Sequence, residues 1–582
     1  MIEIKKIETF VSRAFGWVQD PSNFLSLCAV VAVFKTDSIT HKDLLDNRIK
    51  KLISKKDGQN RLLAALKAQP LKIKYSDLIG TAFYPRSKSR CNGIVQATVK
   101  GQKRDFIGDW PADNFVRWAH ALNLIRYDYF SDSFYISGRG IELANARSDR
   151  KDEKLSGKEI EILINAVIAY PPACRILELL SQGEHLTKYD IGKKLGFIGE
   201  DGFISMPQNI LLQTLAQTDD VRQRNKIRNN WESSSDKYAR MIASWLQSLG
   251  LVEQKAKIFL IINKEVSIGH AYIITAKGLS QYRKILGISS SKKISKNLCW
   301  EMFATKGNDR DYIRTRRACI IKILNNSKQN IAIQNIQSKL LNDYQIQAAC
   351  DTIEDDIKGF INIGISIQIN RKGYYLKDTI NSFIIPIIDT ASAPSEFLQE
   401  KEKIRSLLTV LPHHYLSLLD LAFDSKQNRQ FEAAAMDLLI DECGFKGALL
   451  GGSRKPDGVI YTDCLSKDYG VIIDTKAYSQ GYNLPISQAD EMSRYIRENA
   501  QRKTEINKNE WWLNFPKDLL EFYFMFISGK FIGNIEQKLK RIVASTNTQG
   551  NAAAVKDLLV FANDFKEKKV SLKDFASKYL NV

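Results

Sequence analysis

The sequence predicts a multidomain chain in which α+β subdomains of winged-helix, helix-turn-helix type precede one C-terminal α/β domain. Three observations predict it. A helix, stop, hairpin pattern recurs three times in the first two-thirds. The net positive charge is confined to that same part, and composition and charge balance change together near residue 390. The length of 582 residues exceeds a single core and implies three to five domains at about 100–200 residues each.

In the first repeat a helix is expected over Ala112 to Leu122, followed by Asn123-Leu124-Ile125 and a strand. The turn Ser131-Asp132-Ser133, a strand Phe134 to Ile136 and Gly138-Arg139-Gly140 come next. The second repeat runs from a helix Asp236 to Leu249 through Gly250, a strand Leu251 to Gln254, a strand Ala271 to Thr275 and Lys277-Gly278. The third has a helix Thr352 to Asn362, Gly364, and strands Ile365 to Ile369 and Tyr374 to Leu376 around Arg371-Lys372-Gly373. The glycine after the second and third helices suits the left-handed residue that helix C-termini often need. Helix-turn-helix partners are expected upstream: Ala173 to Gln182 with Lys188 to Leu195, and Tyr312 to Asn325 with Ile333 to Leu341. Such units place a recognition helix in the DNA major groove. The third repeat lacks a dense polar recognition helix and is expected to serve mainly protein–protein contact. The segment from Arg228 to Arg240 is rich in Asn, Glu, Lys and Arg, side chains that read base edges; its other reading is a solvated, ion-paired helix face.

Residues 1–390 hold 59 Lys+Arg against 40 Asp+Glu, whereas residues 391–582 hold 26 against 25. The first part therefore reads as a basic module for nucleic acid, joined to a nearly neutral module with another task. The expected domains are 1–150, 151–287, 288–390, a linker 391–400 carrying Ala391-Ser392-Ala393-Pro394-Ser395, and 401–582. The sequence has no apolar run of membrane-span length and starts Met1-Ile-Glu-Ile-Lys-Lys without a signal pattern, so a cytoplasmic protein without membrane partners is expected. The eight cysteines are scattered, with no CxxC, and the six histidines form no HxxxH, so no zinc site is expected. The adjacent His413 and His414 read as surface or helix-start residues.

The C-terminal part carries the chemistry. Lys455-Pro456-Asp457-Gly458 lies ahead of Asp474-Thr475-Lys476, with Asp457 17 positions before Asp474. Gly458 to Tyr461 and the β-branched run Val471 to Ile473 read as neighbouring strands. Alternation then puts Asp474 and Lys476 on one face, with Asp457 beside Asp474. Converging carboxylates are costly unless a cation binds, and Mg²⁺ takes one or two carboxylates plus waters and phosphate oxygens. This is the PD-(D/E)xK pattern of nucleases. Asp457, Asp474 and Lys476 are the candidate catalytic residues, and Asp457, Asp474 and Thr475 the candidate Mg²⁺-holding set. Glu432, on an expected helix Arg429 to Cys443, is a supporting carboxylate, and Gly451-Gly452-Ser453-Arg454 leads into the motif.

These strings, with Gly481-Tyr482-Asn483-Leu484-Pro485-Ile486 and Gln488-Ala489-Asp490-Glu491-Met492, closely resemble the cleavage domain of the FokI family of Type IIS restriction endonucleases. The likeness continues upstream, through Phe15 to Gln19, Arg117 to Leu122, His185 to Lys188, Arg228 to Met241 and Arg314 to Ala318. The resemblance implies an enzyme that binds an asymmetric duplex site, GGATG or one closely related, and cuts both strands beside it. It implies DNA contacts from Gln19, Arg86 and Trp110, and from Asn229, Glu232, Lys237 and Arg240. Asp20 departs from the family pattern, which has an asparagine there; a carboxylate cannot donate to DNA acceptors and is repelled by phosphate. The resemblance also implies that Asp490 and Arg494 join two cleavage domains of separate copies, and that a DNA methyltransferase shares the site. From the residues alone, Asp490 and Arg494 lie four apart on an expected helix Gln488 to Gln501 and suit an intrahelical pair equally well. Two other functions share parts of the chain: a winged-helix regulator has the basic module, and a structure-selective repair nuclease has the catalytic set.

Overall fold

The computed structural model describes the chain except Met1, Thr9, residues 87–88, 148–153, 289–292, 388–392 and Val582. The described residues form two compact units. The first comprises 1–197, 237–257 and 269–395; the second comprises 198–236, 258–268 and 396–582.

The threefold repeat is present in the first unit at the level of single hydrogen bonds. Its helices are Asp109–Ala121, Lys237–Ser248 and Cys350–Asn362. Each ends on a left-handed residue: Asn123 at φ 53°, Gly250 at 74° and Gly364 at 94°. Behind each, an amide reaches back to close a Schellman-type bond: Leu124 to the Ala119 carbonyl (2.8 Å), Leu251 to Leu246 (2.8 Å) and Ile365 to Phe360 (2.9 Å). The hairpins Ile125–Asp128 with Ser133–Ile136, Val252–Gln254 with Ala271–Ile274, and Ile367–Asn370 with Gly373–Leu376 follow. A third strand joins each of the first two, Ile73–Lys74 and Leu186–Thr187, and in the third repeat it shrinks to the bridge between Ile331 and Tyr374.

Repeats one and two also share the corner after the hairpin. The Ser137 and Thr275 hydroxyls accept the Gly140 and Gly278 amides, both at 3.0 Å, and cap the next helix. A Cβ at Gly140 would lie 2.0 Å from the Leu124 carbonyl oxygen, and one at Gly278 2.0 Å from that of Leu251. Gly140 and Gly278 are thus there for backbone approach.

The second repeat departs from its expected continuity. Between its turn helix Lys188–Gly192 and the helix Lys237–Ser248 lie two further helices, Gln208–Gln217 and Val221–Ser234, which belong to the second unit. Gln208–Gln217 buries Ile210, Leu211, Leu212 and Leu215 and packs on the strand Lys446–Leu449. The Asn209 amide meets Asp441, and the Lys401 ammonium meets the Gly199 carbonyl at 2.8 Å. The expected helix from Asp236 starts instead at Lys237, because Asp236 is left-handed (φ 52°) and breaks the chain between two helices.

The second unit is built on a five-stranded sheet in chain order: β1 Lys446–Leu449, β2 Gly458–Tyr461, β3 Tyr469–Lys476, β4 Glu521–Ser528 and β5 Gly550–Ala554. The β1–β2 and β2–β3 pairs are antiparallel, and β3–β4 and β4–β5 are parallel. Seven of the eight residues of β3 are buried, as a central strand requires. On one face Val459, Ile472, Phe524 and Phe526 pack against Met492, Tyr495 and Trp511, the first two from the helix Ile486–Gln501. The helix Asn428–Asp437 also packs against β3. Of the expected linker 391–400, residues 391 and 392 lie outside the described residues. Residues 396–400 are the start of the helix Glu396–Leu407.

Among the described residues no single helix is long and apolar enough to cross a membrane. His413 and His414 open a short 3-10 helix, as expected.

Candidate active site

The antiparallel register brings the motif together. Gly458 faces Ile473, so one step beyond the ladder Asp457 falls opposite Asp474. Lys476, two residues on, returns to the same face, and its Nζ lies 2.8 Å from Asp474 Oδ1. Asp457 Oδ2 accepts from the Thr475 amide (2.7 Å) and hydroxyl (3.0 Å). Thr475 therefore enters the site as a clamp on Asp457. The Asp457 carbonyl accepts from Leu450 (2.8 Å) and Gly451 (3.2 Å), tying the preceding loop down. That loop needs glycine for conformation: Gly451 and Gly452 have φ 52° and 99°, with nothing near their missing Cβ.

Electrostatics mark these residues. Burial, then the Asp457 carboxylate, push Asp474 well above the carboxylate range, with Lys476 opposing. Burial and Asp457 raise Glu432 to about 8. Burial works against the charge on Lys476, yet Asp474 and Asp457 hold it above its ordinary value. Three carboxylates and one ammonium thus converge where folding alone would keep such charges apart. The oxygen-only donor set of Asp457, Asp474 and Glu432 is that of a hard divalent cation. The sequence had Glu432 only as a supporting group.

Glu491 was not singled out. It accepts from the Tyr495 hydroxyl (2.9 Å), Gln488 (3.1 Å) and Arg494 (3.2 Å), and it helps hold the charge of Lys476. Tyr495 binds the Lys455 carbonyl as well (2.8 Å), so the helix Ile486–Gln501 buttresses the motif loop. The only signal for Glu491 was its place in the string beside Asp490.

The candidate recognition residues divide. Trp17 packs against Tyr238 with ring centroids 5.0 Å apart, and the Trp245 indole donates to the Pro21 carbonyl at 2.9 Å. The segment bearing half-buried Gln19 and Asp20 is thereby seated on the helix Lys237–Ser248. Asp20 feels the charge of Arg240, but burial is the larger effect and its carboxyl pKa is raised. Trp118 stacks on Trp245 at 4.9 Å, joining the helices of repeats one and two. Trp110, 44% exposed, stands at the start of the first of these helices. Exposed Arg86 is 3.6 Å from neighbouring Asp109. Asn229 and Glu232 sit on the helix Val221–Ser234 of the second unit, whereas Lys237 and Arg240 open a helix of the first.

Asp490 and Arg494 share the helix Ile486–Gln501, but the intrahelical pair between them is not among the described contacts. Arg494 meets Glu491 (3.2 Å) and Glu498 (3.5 Å), and Asp490 points to solvent.

Comparison with known proteins agrees over the whole length. The family described as FokI, cleavage domain, matches residues 395–581, and FokI, recognition domain, subdomains 1 and 2, match 13–146 and 159–294. The FokI D3 domain matches 303–372. The chain is 44% identical to the Type II restriction enzyme FokI of Planomicrobium okeanokoites, with 98% of each covered. It is 34% identical to the Type II restriction enzyme StsI of Streptococcus sanguinis, covering 100% of this chain and 97% of that one. Solved structures of FokI, alone and bound to DNA, superpose with TM-score 0.91 over 98% of this chain and 100% of theirs. With catalytic motif, sheet, repeats and near-complete coverage in agreement, the chain belongs to the FokI family and is a FokI-like Type IIS restriction endonuclease.

Proposed function

We propose that this chain binds the asymmetric duplex site GGATG, or one closely related, and hydrolyses both strands at a fixed distance outside it, with Mg²⁺ and with the cleavage domains of two copies paired. The convergence of Asp457, Asp474 and Lys476 at the end of β2 and β3 carries this reading. Asp457, Asp474 and Thr475 would hold the Mg²⁺, with Thr475 also fixing Asp457 and Glu432 in reserve. When bound, the ion supplies Lewis acidity toward water and the phosphate oxygens. Lys476, steered by Asp474, orients the attacking water and offsets charge on the phosphate. Water adds to phosphorus and the bond to the 3′-oxygen breaks, leaving a 3′-hydroxyl and a 5′-phosphate.

Recognition falls to Gln19, Arg86 and Trp110 in the first subdomain and to Asn229, Glu232, Lys237 and Arg240 in the second. The basic surface adds sequence-independent attraction to the backbone. The third repeat serves protein contact, and a methyltransferase of the same specificity protects the host site.

The test is digestion of long unmodified DNA with Mg²⁺ or with EDTA, followed by sequencing of the ends. Discrete Mg²⁺-dependent fragments sharing a motif at fixed offset are expected. Site-specific binding without cutting would support a regulator, and random nicking a structure-selective nuclease; either defeats the reading.

Asp20 takes a different part from the asparagine of the family pattern. Beside Arg240 its carboxylate steers a guanidinium toward a base edge, where a bidentate contact is worth about 1–3 kcal/mol. Asp20→Ala is expected to cost about tenfold in affinity at the cognate site, a loss of about 1.4 kcal/mol, without weakening non-specific binding. Competition shifts with single-base variants read this. Tighter binding to every sequence with unchanged discrimination would show that Asp20 only repels phosphate.

A further inference from the structure

Away from the nuclease motif, three residues of the first unit meet that sequence spacing could not connect. His120 lies in the last turn of the helix Asp109–Ala121, Cys299 immediately precedes the short 3-10 helix Trp300–Phe303, and Glu301 is inside it. A ring nitrogen of His120, the Cys299 sulfur and a Glu301 carboxylate oxygen all lie within 4.8 Å of one another.

The surroundings are those of a built site. Glu301 is fully buried, and both its oxygens accept from the Tyr129 hydroxyl, at 2.9 and 3.0 Å. His120 Nδ1 faces the Ile125 carbonyl at 3.3 Å, while its Nε2 is buried without a hydrogen-bond partner among the described residues. That is the arrangement in which a backbone carbonyl fixes the tautomer and leaves the other nitrogen's lone pair for a ligand. Edge contacts from Phe15 and Phe134, at 5.5 and 5.7 Å between centroids, fix the ring plane. His120 and Cys299 also line a cavity of about 230 Å³, together with Tyr127, Tyr129, Asn297 and Met302.

We propose that His120, Cys299 and Glu301 bind one divalent ion of the zinc class, with its remaining coordination position open to this cavity. Imidazole and thiolate are borderline and soft donors that Mg²⁺ and Ca²⁺ do not select, so the ion differs in kind from that of the nuclease centre. One thiolate and one carboxylate neutralise a dication; Arg314, whose charge also acts on Glu301, is held by Asp311 (3.2 Å) and the Ala304 carbonyl (2.8 Å). Zinc–ligand bonds of about 2.0–2.3 Å set ligand separations near 3.3–3.8 Å, so the three atoms, now within 4.8 Å of one another, must close by at most about 1.5 Å. Binding releases the Cys299 proton to solvent. The bound ion pins the C-terminal end of the helix whose other end presents Trp110, and so stiffens the first recognition subdomain.

The experiment uses the full chain carrying Asp457→Ala and Asp474→Ala, to silence the nuclease centre, stripped with chelator and titrated with Zn²⁺ or Co²⁺. One Zn²⁺ per chain by native mass spectrometry, a raised Tm, and a sulfur-to-Co²⁺ charge-transfer band are expected. Cys299→Ala, which removes only a sulfur, should abolish the band and weaken Zn²⁺ binding at least about 100-fold, and Tyr129→Phe should weaken it about 10- to 100-fold. Absence of Zn²⁺ binding to the parent, or an affinity unchanged by Cys299→Ala, overturns the proposal.

Discussion

Asp474→Ala is expected to keep site-specific DNA binding within about twofold and to lower cleavage by at least about 10³-fold. The side chain is 8% exposed and does two things at once. It supplies one of the converging carboxylates, and it holds Lys476 at 2.8 Å. Transition-state stabilisation by a held cation is worth several kcal/mol, and about 4 kcal/mol is already about 10³ in rate. Binding survives because the recognition residues lie on other elements. The same residue is a burden to the fold. Its raised pKa means that the folded state favours the protonated carboxyl. That contribution is full below the ordinary carboxylate range and is lost as pH rises through the folded value. At neutral pH in chelator the isosteric Asp474→Asn should therefore melt no lower than the parent, an activity–stability trade. Fragment yield in Mg²⁺, band shift and thermal melts in EDTA measure the three quantities. Cleavage within tenfold of the parent would remove Asp474 from the catalytic set.

Why the motif was legible and other parts were not has a physical basis. Asp457, Asp474 and Lys476 sit on adjacent strands, where period-two alternation and a β-branched run fix facing and register from sequence alone. The three helix ends were legible because a left-handed residue leaves a glycine or asparagine trace, seen at Asn123, Gly250 and Gly364. The insertion of Gln208–Gln217 and Val221–Ser234 was not. Its apolar residues have helical spacing, and nothing local says which sheet they cover. The polar run from Arg228 to Arg240 therefore read as one recognition segment, although Asp236 breaks it and its halves belong to different compact units. Likewise, Asp20 beside Arg240, and His120 beside Cys299 and Glu301, are meetings of distant residues that no spacing rule reports. Glu491 escaped because a helical glutamate is usually a solvated one; here tertiary packing turns it toward Tyr495.

Asp490→Ala is expected to slow double-strand cleavage about 10- to 30-fold at low enzyme concentration and to leave the rate nearly unchanged at high concentration. One catalytic centre cuts one strand, so a double-strand break at one locus calls for a second centre. On the helix Ile486–Gln501, Arg494 already meets Glu491 and Glu498 at 3.2 and 3.5 Å, while Asp490 stays in solvent. An intrahelical partner for Asp490 would have contributed only about 0.3–0.5 kcal/mol. In the proposed pairing each Asp490 would meet the arginine of the other copy across a two-fold axis, so one substitution would remove two pairs, about 1 kcal/mol each and together about 2 kcal/mol, near 30-fold in dimer affinity. Asp490 is the cleaner probe of the two. Changing Arg494 also frees Glu491, which helps hold the charge of Lys476, and so disturbs the chemistry itself. Reciprocity sharpens the test further. Asp490→Arg and Arg494→Asp should each cut poorly alone, yet regain part of the double-strand cutting when mixed, because unlike charges then face each other only between different copies, the remainder being lost to the freed Glu491. If Asp490→Ala shows the parent's dependence on concentration, and the mixture cuts no better than its parts, pairing of the cleavage domains does not run through this helix.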